Sequence, residues 1–469
     1  LSSFCLWREA REAVEAAIRA AVSDCFGIEL PEVVLEKPPR PELGDLATTA
    51  AFDLARSLKR APRSIAQELA PKIPLPPGVA AIHVEGGGYL NFDLDRGRFV
   101  RAFLERLETP RAAPARPGKV IVEHTNINPN KAAHIGHLRN AILGDTLVRC
   151  LRHSGRQVEV QNYIDDTGVQ VADVVVGFLD FEEWTLERLE EQLRERRFAR
   201  GGRDYACFGD LCWDVYAEVG RTYRDRPETQ GLRAETLHAI EEGGNLRAAA
   251  AELVASAIVA EHMATMGRLG VAYDLLPRES DILRRHFWTQ AFALLKERGA
   301  VAFEAEGKHA GCWVMKLSET EAFAGMDEPD KILVRSNGTV TYTGKDIAYQ
   351  LWKFGRLGLD FDYAPFVPDW TSAREAADAV PEEVRGHAVW QTAPAPSGDH
   401  PPFGRGQDVY NVIDVRQSYP QKVVREGLRL LGFEAEAEAS HHFAYEMVAL
   451  TPDTVRRLSE EFGDEYRLS

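Results

Sequence analysis

One stretch constrains the fold of this chain more than any other: Lys119 to Gly155, KVIVEHTNINPNKAAHIGHLRNAILGDTLVRCLRHSG. It opens on Lys119-Val120-Ile121-Val122, a β-branched run that reads as a buried strand. It closes on a helical pattern in which Leu143, Leu147, Cys150 and Leu151 share one face and Gly155 supplies a stop. Between them lies a polar loop, 125–133, with three asparagines, a proline and Lys131. The helix starts near His134-Ile135-Gly136-His137. Histidines three apart lie on one side of a helix. Here that side is in the first turn, where free backbone N–H groups and the positive dipole end favour an anion. Gly136 lacks a Cβ, so a flat ligand or a phosphate can approach the backbone. This suits a nucleoside triphosphate, with imidazoles donating to phosphate oxygens as charge builds on them. An isolated His-x-Gly-His fits equally well a helix start that happens to carry two histidines. The strand–loop–helix context favours the nucleotide site.

A chain of 469 residues, 45% apolar and 27% charged, has the composition of an ordinary soluble protein with a sizeable core. No apolar run approaches the roughly eighteen residues a membrane span needs. The start, LSSFCLWREA, has neither an initiator methionine nor the blocks of a signal peptide. Six cysteines lie scattered without a CxxC pair, which argues against zinc and reads as buried, reduced thiols in the cytoplasm. A net charge of −16 argues against coating nucleic acid nonspecifically, but leaves room for local basic patches.

Residues 1–112 read as a small α+β domain. Ala10, Val14, Ile18 and Val22 recur at helical spacing, helices follow near 48–58 and 64–69, and strands near 82–92 are interrupted by Gly86-Gly87-Gly88. Seven basic residues, Arg96, Arg98, Arg101, Arg106, Arg111, Arg116 and Lys119, form a basic bridge or simply a solvated face, and 110–117 reads as a linker. Past the first helix, 157–164 reads as a second strand, followed by an Asp165-Asp166-x-Gly168-x-Gln170 turn. Strand, helix, strand is a βαβ unit whose ligands sit at the carboxyl ends of the strands. From about 172 to 269 the pattern is helical and charged, and 282–298 reads as one amphipathic helix. Asn337-Gly338 reads as a hairpin whose second strand leads to Tyr342, with Asp346 near a helix start. A guanidinium needs a planar, charge-assisted carboxylate and something to align its stem, which Asp346 and Tyr342 would supply; a helix-capping Asp is the plainer reading. The polar, Pro-rich span 355–407 is assigned no chemistry, and 409–417 reads as a core strand ending at Gln417.

Asn128-Pro-Asn-Lys131-x-x-His134-Ile-Gly-His137-Leu-Arg-Asn140 closely resembles the first signature of class I aminoacyl-tRNA synthetases. The asparagine six residues before the first histidine, and the His-Leu-Arg-Asn ending, resemble the arginyl-tRNA synthetases in particular. Leu43-Gly-Asp-Leu-Ala47 and Gly88-Tyr-Leu-Asn-Phe92 are similar to the family's N-terminal additional domain, which contacts the outer corner of tRNA. The resemblance implies an α/β fold with a Rossmann-type parallel-sheet catalytic core over 113–469, carrying insertions at about 172–330 and 355–407. It implies ATP-dependent activation of L-arginine to arginyl-adenylate with Mg2+, then transfer to the 3′ end of tRNA(Arg), usually with tRNA bound from the first step, by a cytoplasmic monomer. It places His134, Gly136 and His137 at the phosphates with Lys131 as helper, and Asn128 at the substrate's amino and carboxylate end. Tyr342, Asp346 and Gln417 would line the arginine pocket, His442, Met447 and Val448 would border the adenine, and no residue is assigned to a metal. Nothing here matches the second class I signature, Lys-Met-Ser-Lys-Ser, and the anticodon-binding domain is absent from these residues. The expectation is therefore weak binding of arginine and ATP with poor aminoacylation. A synthetase for another amino acid and a non-catalytic synthetase-like paralogue are the rival readings.

Overall fold

Val120 and Val122 join one buried cluster, with Ala141, Val148, Val158 and Val160, while Ile121 joins another, with Ile347, Leu351, Val409 and Val423. A strand covered on both faces belongs inside a parallel sheet. The computed structural model, which describes residues 3–108, 114–318, 320, 323, 326, 329–338, 340–370 and 379–462, has that sheet. Its strands are β1 (Arg116–Glu123), β2 (Arg156–Gln161), β3 (Leu275–Leu276), β4 (Asp362–Phe366), β5 (Val389–Ala393), β6 (Asp408–Asp414) and β7 (Ser440–Tyr445). The seven lie in the order β4-β5-β3-β2-β1-β6-β7, parallel throughout except for β4. Progression reverses at β1: β2 and β3 extend to one side, β6 and β7 to the other. Such a reversal opens a crevice at the carboxyl ends of the strands.

Helix α1 (Ile135–His153) buries Asn140, Ala141, Gly144 and Val148. Leu143, Leu147 and Leu151 only flank this line, and Cys150 is exposed, which corrects the expected face. The cause is His124, whose ring occupies the space at Gly144; a Cβ there would stand 2.2 Å from it. Among the described cysteines, Cys207, Cys212 and Cys312 are buried and Cys25 is half-buried, and none is in a disulfide; Cys150 departs from the reading of buried thiols.

Helices α2 (Val169–Val176), α3 (Leu186–Glu195), α4 (Phe208–Asp225), α5 (Gly231–Glu242) and α6 (Leu246–Arg268) enclose a core of their own around Val171, Phe178, Leu211 and Val254. The helical insertion ends there, since β3 returns to the sheet, so the expected span to 330 is too long. One helix was expected over 282–298, but α7 (Glu279–Arg284) and α8 (Phe287–Glu297) take its place, separated by His286 at φ +56°. A three-stranded antiparallel sheet follows, Val301–Phe303, Trp313–Met315 and Lys331–Val334. Beyond Gly338 (φ +83°), Val340 forms only a single bridge to Val334, and Tyr342 is the first residue of α9 (Tyr342–Lys353) rather than the end of a strand. The 355–407 span is not a mere excursion, because Tyr363 and Val389 are buried in the core and carry β4 and β5; its residues 371–378 lie outside the described ones. After β6, the Asp414 carboxylate accepts the Arg416 N–H at 2.8 Å and turns the chain, so Gln417 sits in a 3-10 turn and not on the strand.

The chain divides into two compact units, Leu1–Ala115 with His153–Gly155, and Arg116–Arg152 with Arg156–Ser469. The first holds a helix, Ser3–Phe26, on an antiparallel sheet in the order Leu35–Glu36, Leu46–Thr48, Tyr89–Leu94, Val79–Glu85. Val14, Ile18, Val22, Leu54, Ile65 and Phe92 fill its core. Two residues of the basic bridge are occupied there: Arg96 pairs with Asp45 at 2.9 Å and Arg106 with Glu9 at 2.6 Å. Arg111, and the linker from 110 to 113, lie outside the described residues.

Candidate active site

Past Glu123 the chain turns through two left-handed residues, Thr125 (φ +77°) and Asn126 (φ +42°). For threonine that conformation is strained, and it persists only where its surroundings impose it. They do. The Thr125 N–H donates to Asn140 Oδ1 at 2.6 Å, and its hydroxyl meets Tyr273 at 2.7 Å. Asn126 donates its side-chain N–H to Glu123 at 2.8 Å and accepts the Tyr163 N–H at 2.8 Å, tying the loops after β1 and β2 together. Asn140 in turn donates to the Val412 carbonyl at 2.9 Å, anchoring α1 to β6. The last asparagine of the signature is thus a brace. Asn128 is half-buried, and Asn130 is buried with no partner for its side-chain amide among the described residues.

The imidazoles of His134 and His137 stack, with centroids 3.7 Å apart and planes 22° off parallel. The His134 N–H donates to His137 Nδ1 and the Gly136 N–H to His134 Nδ1, each at 3.2 Å. With both Nδ1 atoms accepting, both Nε2 atoms carry hydrogen, and the rings are neutral donors. Burial pushes His137 down to about 3, helped by His134, His262 and Lys131; burial and then Lys131 lower His134. Two neutral rings can stack where two imidazolium ions would repel. Burial also lowers the Lys131 ammonium, which lies 4.8 Å from the centre of the Trp213 ring.

Past the carboxyl ends of β2 and β6 opens a cavity of about 730 Å³, whose wall includes Tyr342, Asp346 and Gln417 together with Tyr163, Asp165 and Glu279. Asn128 is not in its lining. Lys345 neutralises Glu279 at 2.6 Å, and Tyr163 donates to Glu279 at 2.9 Å. Asp165 has a buried oxygen without a partner among the described residues; burial, then Glu279 and Asp166, hold its carboxyl well above the usual range. Asp346 has no hydrogen-bond or ion-pair partner among the described residues. Burial, then Glu279 and Glu123, push it up to about 7. Lys331 and Arg335 also line the cavity, so the carboxyl groups whose charge awaits a cation are Asp165 and Asp346. Tyr163, Asp165 and Glu279 could not be read from the sequence as a pocket, because nothing local joins the loop after β2 to residue 279.

The same wall serves a second cavity of about 480 Å³, lined on its far side by Asp166, Ser280, Asp281, Arg278 and Thr392. Asp166 accepts from the backbone and hydroxyl of Ser280, at 2.9 and 2.7 Å. Neighbours 165 and 166, like 279 and 280, thus face opposite cavities. Of the residues expected at the adenine, His442 lies on β7 with Nε2 3.0 Å from the Ile413 carbonyl, Met447 is 70% exposed, and Val448 is half-buried in the coil beyond. None of the three lines the acidic cavity.

A doubly wound sheet with His-x-Gly-His opening the helix after its central strand defines a class I aminoacyl-tRNA synthetase catalytic domain. Residues 102–361 match the family model for the tRNA synthetases class I (R) catalytic domain, and 9–94 the arginyl tRNA synthetase N terminal domain. The arginine–tRNA ligase of Thermococcus kodakarensis is 39% identical over 454 residues, covering 94% of this chain and 67% of that protein. That of Deinococcus radiodurans is 36% identical, covering 94% and 66%. The solved arginyl-tRNA synthetase of Thermus thermophilus superposes with a TM-score of 0.71 at 35% identity, covering 97% of this chain and 72% of that one. The chain belongs to the arginyl-tRNA synthetase family, a family of ligases. It spans about two thirds of the length of the curated relatives it matches, 62% in the case of Thermococcus sibiricus.

Proposed function

We propose that this chain is the N-terminal and catalytic region of an arginine–tRNA ligase, which activates L-arginine with ATP and passes it to tRNA(Arg). The observation that carries the reading is this cavity: Asp346 without a partner among the described residues, Asp165 and Glu279 beside it, and Tyr342 and Gln417 in its lining, on the carboxyl side of the sheet, as are His134 and His137. A guanidinium entering there meets a carboxylate in charge-assisted contact, and the Tyr342 ring, 56% exposed, aligns its stem. Asn128 would face the amino and carboxylate end. The substrate carboxylate then attacks the α-phosphorus, a P–O bond to it forms, and pyrophosphate leaves. His134 and His137 donate their Nε2 hydrogens to phosphate oxygens, Lys131 adds positive charge, and Gly136 keeps the backbone within reach. His442, Met447 and Val448 would border the adenine.

Magnesium takes oxygen ligands in octahedral geometry. The imidazole and ammonium groups at the phosphate end do not offer them, and among the described residues no three acidic, histidine or cysteine side chains are grouped to hold a metal. Mg2+ would arrive with the nucleotide, on its phosphates. The described cysteines, none of them in a disulfide, fit a reducing cytoplasm, and no helix among the described residues is long and apolar enough to cross a membrane. The reading takes the protein as a monomer. Domain roles follow the family: 1–112 for tRNA contact, 113–469 for catalysis.

Isothermal titration with L-arginine, using lysine and citrulline as controls, tests the reading. Arginine-selective binding is expected. Equal binding of uncharged citrulline would remove the carboxylate pocket from it.

A further inference from the structure

The indole of Trp213 has no packing reason to be where it is. Helix α4 turns Phe208, Leu211, Cys212, Val215 and Val219 inward, whereas Trp213 is 46% exposed, with Tyr216 at 6.0 Å as its ring neighbour. What it does cover is Lys131, whose ammonium sits 4.8 Å from the ring centre. No carboxylate lies within 4.0 Å of that ammonium among the described residues. The helix is also docked onto the loop that carries the lysine. His262 donates from Nε2 to the Lys131 carbonyl at 2.7 Å. Its neighbour Glu261 accepts the Phe208 and Gly209 N–H groups of α4 at 2.7 and 2.9 Å. Gly209 approaches so closely that a Cβ on it would lie 2.6 Å from the Ala132 nitrogen.

We propose that Trp213 is a positioning residue that holds the Lys131 ammonium ready for the triphosphate without neutralising it. A carboxylate in the same place would compete with the phosphates for the lysine's charge. A ring face attracts the cation through its quadrupole and leaves the charge available to an anion. The lysine stem, with four rotatable bonds, would otherwise sample many positions before ATP arrived. The inference rests on the reading of Lys131 as a phosphate-binding group, and one set of titrations separates the two.

ATP with Mg2+ is titrated into the full chain and into Trp213→Ala, Trp213→Phe, Lys131→Met and the Lys131→Met/Trp213→Ala double variant, with L-arginine as the control ligand. Trp213→Ala is expected to weaken ATP binding by about 2- to 10-fold, the size of a partly exposed cation–π contact. Trp213→Phe should keep most of the affinity, and arginine binding should not change. In the Lys131→Met background, the Trp213 change should add nothing, which a merely structural role would not produce. ATP affinity unchanged in Trp213→Ala, or a loss of equal size in both backgrounds, would overturn the proposal. Unchanged affinity in Lys131→Met overturns it together with the lysine's part in the functional reading. No ATP binding by the unaltered chain overturns that reading as a whole.

Discussion

Asp346 has no hydrogen-bond or ion-pair partner among the described residues, and the function proposed above gives it one in the arginine guanidinium. Its proton affinity, raised to about 7 by burial and by Glu279 and Glu123, measures how unwelcome its charge is in the empty cavity. A guanidinium reverses that preference. Below pH 7, part of the arginine binding energy goes into removing the proton. Arginine affinity should therefore fall as pH drops from 8 to 6, approaching about tenfold per unit below 7. Titrations in two buffers of different ionisation heat should report proton release, and a flat affinity across that range would count against Asp346 as the guanidinium's partner. The stability sign is opposite to that of a salt-bridged acid. A carboxyl raised in the folded state contributes stability below its unfolded pKa and loses it as pH climbs through about 7. Asp346→Asn should thus weaken arginine binding by about 100-fold or more while leaving ATP binding within about twofold. Unliganded, it should melt above the parent at pH 8, by a margin that shrinks as pH falls below 7 and closes only near pH 4.

At the scale of elements, α1 rests on the sheet through a missing side chain. Alanine in place of Gly144 favours a helix by about 1 kcal/mol, but overpacking commonly costs about 1–3 kcal/mol, and here the obstacle is the His124 ring at 2.2 Å. Gly144→Ala should lower the urea midpoint, with a net loss of about 1–2 kcal/mol; a raised midpoint would mean that the ring can rotate away. The same pair explains what could be read in advance. The strand, loop and helix of 119–155 were legible because the strand's β-branching, the loop's asparagines and the helix start are all local. The buried face of α1 was not, because it is set by a histidine outside the helix. Likewise β4 and β5 were hidden in a polar, Pro-rich span, and only their placement beside β3 makes them strands.

At the scale of the molecule, the unit Leu1–Ala115 carries its own core and its own four-stranded sheet. Expressed as residues 1–115, it should fold alone, giving mixed α/β circular dichroism and a single cooperative melt; a featureless melt would show that it depends on the rest of the chain. The candidate site has no such independence. Tyr342 and Asp346 could be paired from the sequence because only four residues separate them, even with Tyr342 expected on a strand, but Asp165 and Glu279 meet from positions more than a hundred residues apart, and only the closed sheet juxtaposes them. The wall they build has a parity. Residues 165 and 279 serve the acidic cavity, 166 and 280 the cavity behind it. Inserting or deleting one residue in either turn would turn that wall inside out, presenting Asp166 or Ser280 to the first cavity and retiring Asp165 or Glu279. Side chains there can be exchanged one at a time during descent, but the number of residues cannot, so this site ought to tolerate substitution far better than it tolerates a change of length.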